Sequence, residues 1–324
     1  MHIQEVFDLV KDDLKQMEDS FKQNISSSVY LVSKVSEYIL NSGGKRFRPL
    51  VLLLAARLCE YKGDRHIPMA SVMEFIHTAT LLHDDVVDNA RLRRGSASAN
   101  EVWGQGPSIL VGDYLLSRAF ALTVANGDMR ALNALSRTTT RMAEGEVLQL
   151  VKHGDPNTTE KEYLDVITYK TAVLISLSAQ MPAILSNVDP KKEEALIDYG
   201  LGLGIAYQLM DDCLDYISTD EDLGKSIGND LREGKLTMPL IHAISKATDS
   251  ERALLVCAVE TDNFSESTLR EVISIINKYK GIEHTIDRAH AYIANAKKAL
   301  DIFQPNTEHA ALLAVADYVI ERKH

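Results

Sequence analysis

The amino-acid sequence predicts an all-α protein built as one large helical bundle, and three observations carry that prediction. Apolar residues recur at helical spacing along nearly the whole chain, and no stretch alternates convincingly as a strand. The 324 residues include only 8 prolines, 17 glycines and 6% aromatics, which favours long helices over many short strands. The pattern Asp-Asp-x-x-Asp occurs twice, as Asp84-Asp85-Val86-Val87-Asp88 and as Asp211-Asp212-Cys213-Leu214-Asp215. Each copy ends an apolar, helix-patterned stretch, and helical bundles build acidic metal sites in the core between facing helices.

Breakers divide the chain into its helices. Asn41-Ser42-Gly43-Gly44 closes the N-terminal helices, and Pro49 suits the first turn of the next one. Lys62-Gly63-Asp64 and Pro68 separate that helix from the one carrying the first acidic cluster. Arg94-Gly95-Ser96 and Gly104-Gln105-Gly106-Pro107 mark the following loop region, Asn126-Gly127-Asp128 a turn, and His153-Gly154-Asp155-Pro156-Asn157 another. Asn187 to Pro190 ends the helix holding Lys170, and the next helix runs into the second cluster. From about Pro239 the pattern stays helical with Asp, Asn and Ser breaks. No low-complexity tract or linker appears, and the flanks of the two clusters do not repeat. Length alone admits two domains, but two clusters serving one ligand require one site, so residues 1–324 are expected to form a single domain.

The chemistry lies in the clusters. On a helix Asp84 and Asp88 are four residues apart, as are Asp211 and Asp215, so each pair projects from one face. Carboxylates so close repel, and a hard divalent cation between them relieves the repulsion. Magnesium suits the position, because it takes a few carboxylates together with substrate phosphates. A single acidic pentapeptide is more often a solvated helix end. Here both copies follow strongly apolar turns, Thr78 to Leu82 and Ile205 to Met210, and burying carboxylates without partners is prohibitive.

Basic residues accompany both clusters. Gly44-Lys45-Arg46-Phe47-Arg48-Pro49 sets three cations at a helix start, where they oppose the macrodipole unless an anion is bound. Arg91-Leu92-Arg93-Arg94-Gly95 follows the first cluster. Gly224-Lys225, Gly228-Asn229-Asp230 and Gly234-Lys235 follow the second, with glycines that admit a ligand close to backbone. Alone each is a charged loop; beside a metal-diphosphate they read as phosphate clamps. His77 lies two turns before Asp84 on nearly the same face, and a lone helical histidine is usually structural. Glu74-x-x-His77 resembles half of a di-iron site, but only Asp287-x-x-His290 has comparable spacing. Neither a Ser-His-Asp arrangement nor a Walker-type loop is present.

A net charge of −11 argues against nucleic-acid binding, which rests on Lys and Arg. Cys59, Cys213 and Cys257 are scattered and odd in number, as expected for small buried side chains in a reducing compartment. The segment Met1 to Gln16 is acidic and amphipathic, unlike a signal or transit peptide. The longest uninterrupted apolar run, Leu50 to Ala56, is too short to cross a bilayer. A cytoplasmic protein without a transmembrane segment is expected.

Together Gly44-Lys45-Arg46-Phe47-Arg48-Pro49, Leu81-Leu82-His83-Asp84-Asp85-Val86-Val87-Asp88, Arg93-Arg94-Gly95, Lys170-Thr171, and Gln208 with Asp211-Asp212-Cys213-Leu214-Asp215 resemble the trans-polyprenyl diphosphate synthases, closest to the bacterial octaprenyl type that makes quinone side chains such as that of ubiquinone. The motifs keep the family's order over nearly the whole chain. The resemblance implies an isoprenoid-synthase bundle with the active site in its central cavity, a homodimer, and two or three magnesium ions per site. It implies that Asp84, Asp88, Asp211 and Asp215 hold the metal, with Asp85 and Asp212 supporting them. Lys45, Arg48, His77 and Arg94 would bind isopentenyl diphosphate; Arg93, Lys170, Lys225 and Lys235 would contact the allylic diphosphate. Thr171 and Gln208 would lie near the reacting carbons. Tyr207 stands where many relatives carry Phe, which keeps the ring.

The implied reaction needs no strong protein base. Metal and lysine neutralise the leaving diphosphate, the double bond of isopentenyl diphosphate attacks the allylic cation, and the departed diphosphate can take the proton. A terpene cyclase usually lacks the second Asp-rich motif, and a non-catalytic subunit would be expected to lose metal ligands. A farnesyl- or geranylgeranyl-length synthase is the main alternative. Ala79 and Thr80, about one turn before Asp84, are small where a farnesyl-type enzyme carries bulky aromatics. At about 5.4 Å per turn, roughly one isoprene unit passes each layer, so a long product is expected, stopped near Leu122 or Leu135 and delivered to a membrane.

Overall fold

A computed structural model of the chain describes residues 1–41, 43–217, 228–261 and 264–322. They form an all-α protein, as the periodicity predicts. In chain order the helices are α1 (Ile3–Leu9), α2 (Lys11–Ile25), α3 (Tyr30–Asn41), α4 (Phe47–Leu58), α5 (His66–Val87), α6 (Ala99–Trp103), α7 (Gln105–Asn126), α8 (Met129–Lys152), α9 (Glu160–Ile167), α10 (Val173–Ser186) and α11 (Pro190–Ile217). They continue with α12 (Asn229–Arg232), α13 (Met238–Lys246), α14 (Asp249–Glu260), α15 (Glu266–Lys278), α16 (Gly281–Ala299) and α17 (Thr307–Glu321). Among the described residues the only strands are Leu92–Arg93 and Ser96–Ala97, an antiparallel pair turning through Arg94 and Gly95. Both turn residues have positive φ, +51° and +77°.

The chain divides into two compact units. The first comprises Met1–Arg137, Leu177–Ile197 and Leu300–Val315. Its central helix is α5, which packs on α2, α4 and α7. From Met69 to Ile76 every residue of α5 is buried, the mark of a helix enclosed on all sides. Phe75 stacks on Phe21 with centroids 4.1 Å apart, and the Ser71 hydroxyl donates to the Met17 carbonyl at 3.0 Å. The apolar run Leu50 to Ala56 lies wholly within α4 and is buried. Fully burying each Leu or Val side chain stabilises by about 1.5–3 kcal/mol, so this run is core. Where α7 packs on α5, Gly112 makes room for the His83 ring: a Cβ there would lie 2.3 Å from His83 Nε2. By length and composition alone α7 could cross a membrane, with a third of its most apolar window buried inside the protein.

The second unit comprises Thr138–Ser176, Asp198–Ala299 and Ala316–His324. Its core joins Cys213 and Tyr216 of α11 to Leu240 and Ile244 of α13, Leu255 and Val259 of α14, Leu269, Val272 and Ile276 of α15, and Ile282 of α16. Local signals start these helices: Thr159 with Glu162 and Thr248 with Glu251 form reciprocal caps at the starts of α9 and α14, satisfying orphan amides. Between α9 and α10, Thr168–Ala172 form a single π-helical turn.

Several boundaries differ from expectation. Pro68 is inside the first turn of α5, and Gln105-Gly106-Pro107 begin α7, because proline in a first turn lacks only an N–H that would have no partner there. Burial pushes the Cys59 and Cys213 thiols up to about 12, whereas Cys257 is exposed and is not the buried side chain expected.

Candidate active site

The first cluster closes α5. Asp88 caps the helix, its amide bonding the Asp84 carbonyl at 2.8 Å. Asp84 and Asp88 are half-buried and Asp85 is wholly buried. Arg93 answers that burial, donating to Asp85 Oδ1 from Nε at 2.7 Å and from Nη2 at 2.6 Å. Oδ2 of Asp85 is buried with no hydrogen-bond partner among the described residues. The following segment is pinned by Ser98 and Asn100, which both donate to the Ala90 carbonyl.

The residues expected to bind isopentenyl diphosphate gather in the same unit. Arg94 donates to the Gly43 carbonyl, tying the Arg93-Arg94 turn to the Gly-Lys-Arg loop. A Cβ on Gly44 would lie 3.1 Å from both the Arg94 and the Arg46 guanidinium. His77 retains some surface, yet burial pushes its imidazole well below the ordinary value, with Arg48, Arg94, Arg93 and Arg46 adding to the effect. Four arginine charges therefore act on one histidine. Arg46 points elsewhere: it bonds Glu74 at 2.8 Å and Glu18 at 3.4 Å, and it enters α4 from the left-handed region at φ +48°. Ala79 is buried, Thr80 half-buried with its hydroxyl on the His77 carbonyl at 2.8 Å, Leu122 half-buried and Leu135 fully buried.

The second cluster closes α11, whose start is set by Pro190 and by Asp189 accepting from the Lys191 amide at 2.8 Å. Asp212 is buried, and it accepts from the Tyr163 hydroxyl and from Gln208 Nε2 at 2.9 Å. Burial, followed by the nearby Asp230 charge, pushes its carboxyl well above the ordinary range against those two hydrogen bonds. Tyr163 is itself pushed up by burial and then by Asp212, so it remains a donor. Asp215 accepts from the amides of Asn229 and Asp230, each at 3.1 Å, capping α12. Lys170 lies in the π turn and meets Glu146 at 2.8 Å, and the Thr171 hydroxyl donates to Gln208 at 3.3 Å. Lys170, Thr171, Gln208, Asp212, Asp230 and Lys235 line one cavity of about 140 Å³. Lys225 and Gly224 lie outside the described residues.

Each pentapeptide therefore has a buried central carboxylate bound by the protein and outer carboxylates that keep some solvent exposure. Their hard carboxylate oxygens are of the donor type that suits magnesium, although among the described residues no three potential ligand side chains converge on one point. Three residues here, Glu146, Tyr163 and Arg322, carry no sequence signal, and Asp230 is marked in the sequence only as part of a glycine-spaced loop. Glu146 pairs with Lys170, and Tyr163 with Asp212. Asp230 stands in the cavity wall. Arg322, buried near the C-terminus, contacts Asp211 at 2.7 Å and stacks over the Tyr207 ring at 3.7 Å from its centroid.

The Arg322 contact can be tested by substitution. Because Asp211 is 42% exposed, screening weakens the ion pair, so the stacking on the Tyr207 ring and the hydrogen bond that Arg322 Nη2 donates to the Tyr207 carbonyl carry more of the contact. Arg322→Ala should cost on the order of 1–2 kcal/mol, lowering Tm by a few degrees. Arg322→Lys keeps the charge without the planar fork and should restore only part. Unchanged melting of both variants would show that the contact contributes nothing.

Comparisons with known proteins agree on one relationship. A family model described as polyprenyl synthetase matches residues 29–276. The octaprenyl diphosphate synthase of Escherichia coli K12 is 39% identical over 322 residues, covering 99% of both chains. The all-trans-nonaprenyl-diphosphate synthase (geranyl-diphosphate specific) of Rhodobacter capsulatus is also 39% identical, over 320 residues and 98% of each chain. A crystal structure of a polyprenyl synthase from Caulobacter crescentus, complexed with calcium and isoprenyl diphosphate, has a TM-score of 0.95 at 40% identity, covering 99% of this chain and 98% of that one. Matched by a family model over most of its length and by relatives from end to end, the chain belongs to the polyprenyl synthetase family.

Proposed function

We propose that this chain is a magnesium-dependent long-chain all-trans-polyprenyl diphosphate synthase of octaprenyl length. It condenses isopentenyl diphosphate successively onto an allylic diphosphate such as farnesyl diphosphate, in the cytoplasm, for a quinone side chain. The observation that carries this reading is the pair of Asp-Asp-x-x-Asp helix ends, each with its central carboxylate bound internally and its outer carboxylates partly exposed near basic residues. The full-length similarity to an octaprenyl diphosphate synthase supports the product length.

Residue roles follow from charge and position. Asp84, Asp88, Asp211 and Asp215 would hold magnesium, which when bound offsets the charge of the leaving diphosphate. Asp85 and Asp212 fix the frames of their clusters. Lys45, Arg48, His77 and Arg94 bind the isopentenyl diphosphate, a role that the neutral His77 and its surrounding arginines support. Lys170, Lys235 and Arg93 would contact the allylic diphosphate, as would Lys225, which lies outside the described residues. Thr171 and Gln208, hydrogen-bonded to each other, lie near the reacting carbons. The whole chain works as one catalytic domain.

We also assign a homodimer. Helix α7 leaves Ile109, Leu110 and Val124 exposed, and α8 leaves Val147, Leu150 and Val151 more than half exposed. Apolar residues so concentrated on two helices suit a partner copy. Sedimentation should give twice the chain mass, and a monomer would end this assignment. The long product leaves for a lipid bilayer, where each buried methylene favours transfer by about 0.8 kcal/mol.

Purified protein given magnesium, isopentenyl diphosphate and farnesyl diphosphate should yield a chain of about eight isoprene units, one for roughly each helical layer passed, and excess chelator should abolish it. Full turnover in chelator would overturn the metal assignment, and a product of fifteen or twenty carbons would select the shorter-chain alternative.

Chain length has its own variant. Ala79 is small and buried about one turn before Asp84, so Ala79→Tyr should shorten the product by several units, at roughly one per helical layer. An unchanged long product would show that the tunnel does not follow this face of α5.

A further inference from the structure

Lys170 and Thr171 sit in the π turn Thr168–Ala172, where the Val173 amide bonds the Thr168 carbonyl five residues back. Such a turn inserts one residue into a helix and is rare. Single turns of this kind recur at functional sites, so what surrounds this one matters.

Two buried glycines supply those surroundings. On α8, a Cβ at Gly145 would lie 2.6 Å from the Lys170 backbone nitrogen and 2.9 Å from the Tyr169 carbonyl carbon and Cβ. On α11, a Cβ at Gly204 would lie 2.6 Å from the Ala172 Cα and 2.8 Å from its Cβ. Carbon atoms normally approach no closer than about 3.5 Å. The obstructing atoms are backbone or fixed to it, so a side chain at either glycine would have to push the turn aside by about 1 Å. At Gly112, by contrast, the obstruction is the end of the His83 side chain, which can rotate away.

Each glycine also neighbours the residue that grips the turn. Glu146 follows Gly145 and pairs with Lys170 at 2.8 Å. Gln208 lies one helical turn after Gly204; it accepts from Thr171 and donates to Asp212. Backbone contact and side-chain contact thus reach the same π turn from the same two helices: α8 at Tyr169 and Lys170, and α11 at Ala172 and Thr171.

We propose that Gly145 and Gly204 are positioning residues. By letting α8 and α11 touch the π turn, they set the Lys170 ammonium and Thr171 hydroxyl where the allylic diphosphate is bound. The inference rests on the allylic role given to those two residues above. Glycine inside a helix is otherwise destabilising relative to alanine, so helix propensity alone would favour alanine at both positions.

Gly145→Ala and Gly204→Ala are compared with Gly202→Ala. Gly202 is on the same helix as Gly204, but its Cβ would meet the Tyr292 carbonyl at 3.0 Å and the Ala296 Cβ at 3.1 Å, away from the turn. Both clamp variants should lose roughly 100-fold in kcat/KM for the allylic substrate, as expected when a reacting group moves by about 1 Å. Their KM for isopentenyl diphosphate should be unchanged, and Gly202→Ala should keep parental kinetics. An equal loss in Gly202→Ala, or parental kinetics in the clamp variants, overturns the proposal.

Hydrogen exchange on the parent decides the clamp separately, whether or not the variants fold. Amides 168–173 should be as protected as the body of α10, and fast exchange there overturns the clamp. A parent that exchanges slowly at these amides but condenses nothing removes the functional reading and leaves the clamp standing.

Discussion

Crowded carboxylates at the C-terminal end of a helix are the constraint around which each acidic cluster is built. The negative end of a helix dipole already disfavours anions, and both α5 and α11 end in three aspartates. The protein offsets this charge unevenly. Asp85 takes a guanidinium, while Asp212 takes a phenol and a carboxamide. Burial, and then the Asp230 charge, hold the Asp212 carboxyl high against those two neutral donors. The two motifs, alike in sequence, are therefore built differently.

The same economy appears among the cations. Lys170 is held by Glu146, Lys235 by Glu233 and Arg93 by Asp85. Side chains steered in this way lose rotamer freedom before any ligand arrives, which lowers the entropy that binding must overcome. Around His77, by contrast, positive charge accumulates and the ring is driven neutral. On the proposed role, an incoming diphosphate would meet cations already gathered and one imidazole able to donate or accept.

Much of this was legible in the chain, for identifiable reasons. Helical period and breaker residues locate most elements, and the two acidic motifs name themselves because nothing apolar explains them. Pro68 and Pro107 misplaced helix starts, since proline is equally at home outside a helix and in its first turn. The strands at Leu92 and Ser96 are two residues long, too short for alternation to register. The π turn is invisible because one inserted residue leaves the apolar pattern on either side intact. Arg322 could not be linked to Asp211 from spacing, because only the fold brings positions so distant in sequence together. Tyr163 and Glu146 look like ordinary helix residues until their partners are known.

Arg46 stands between Lys45 and Arg48 but answers to Glu74, whose side chain is 7% exposed. Removing one partner of such a pair costs about 3–5 kcal/mol, a large part of a typical domain's net stability of about 5–15 kcal/mol. Positions 46 and 74 therefore act as one structural unit, since a change at either leaves the other's charge without its partner. Within one short basic motif, Arg46 is committed to holding the fold.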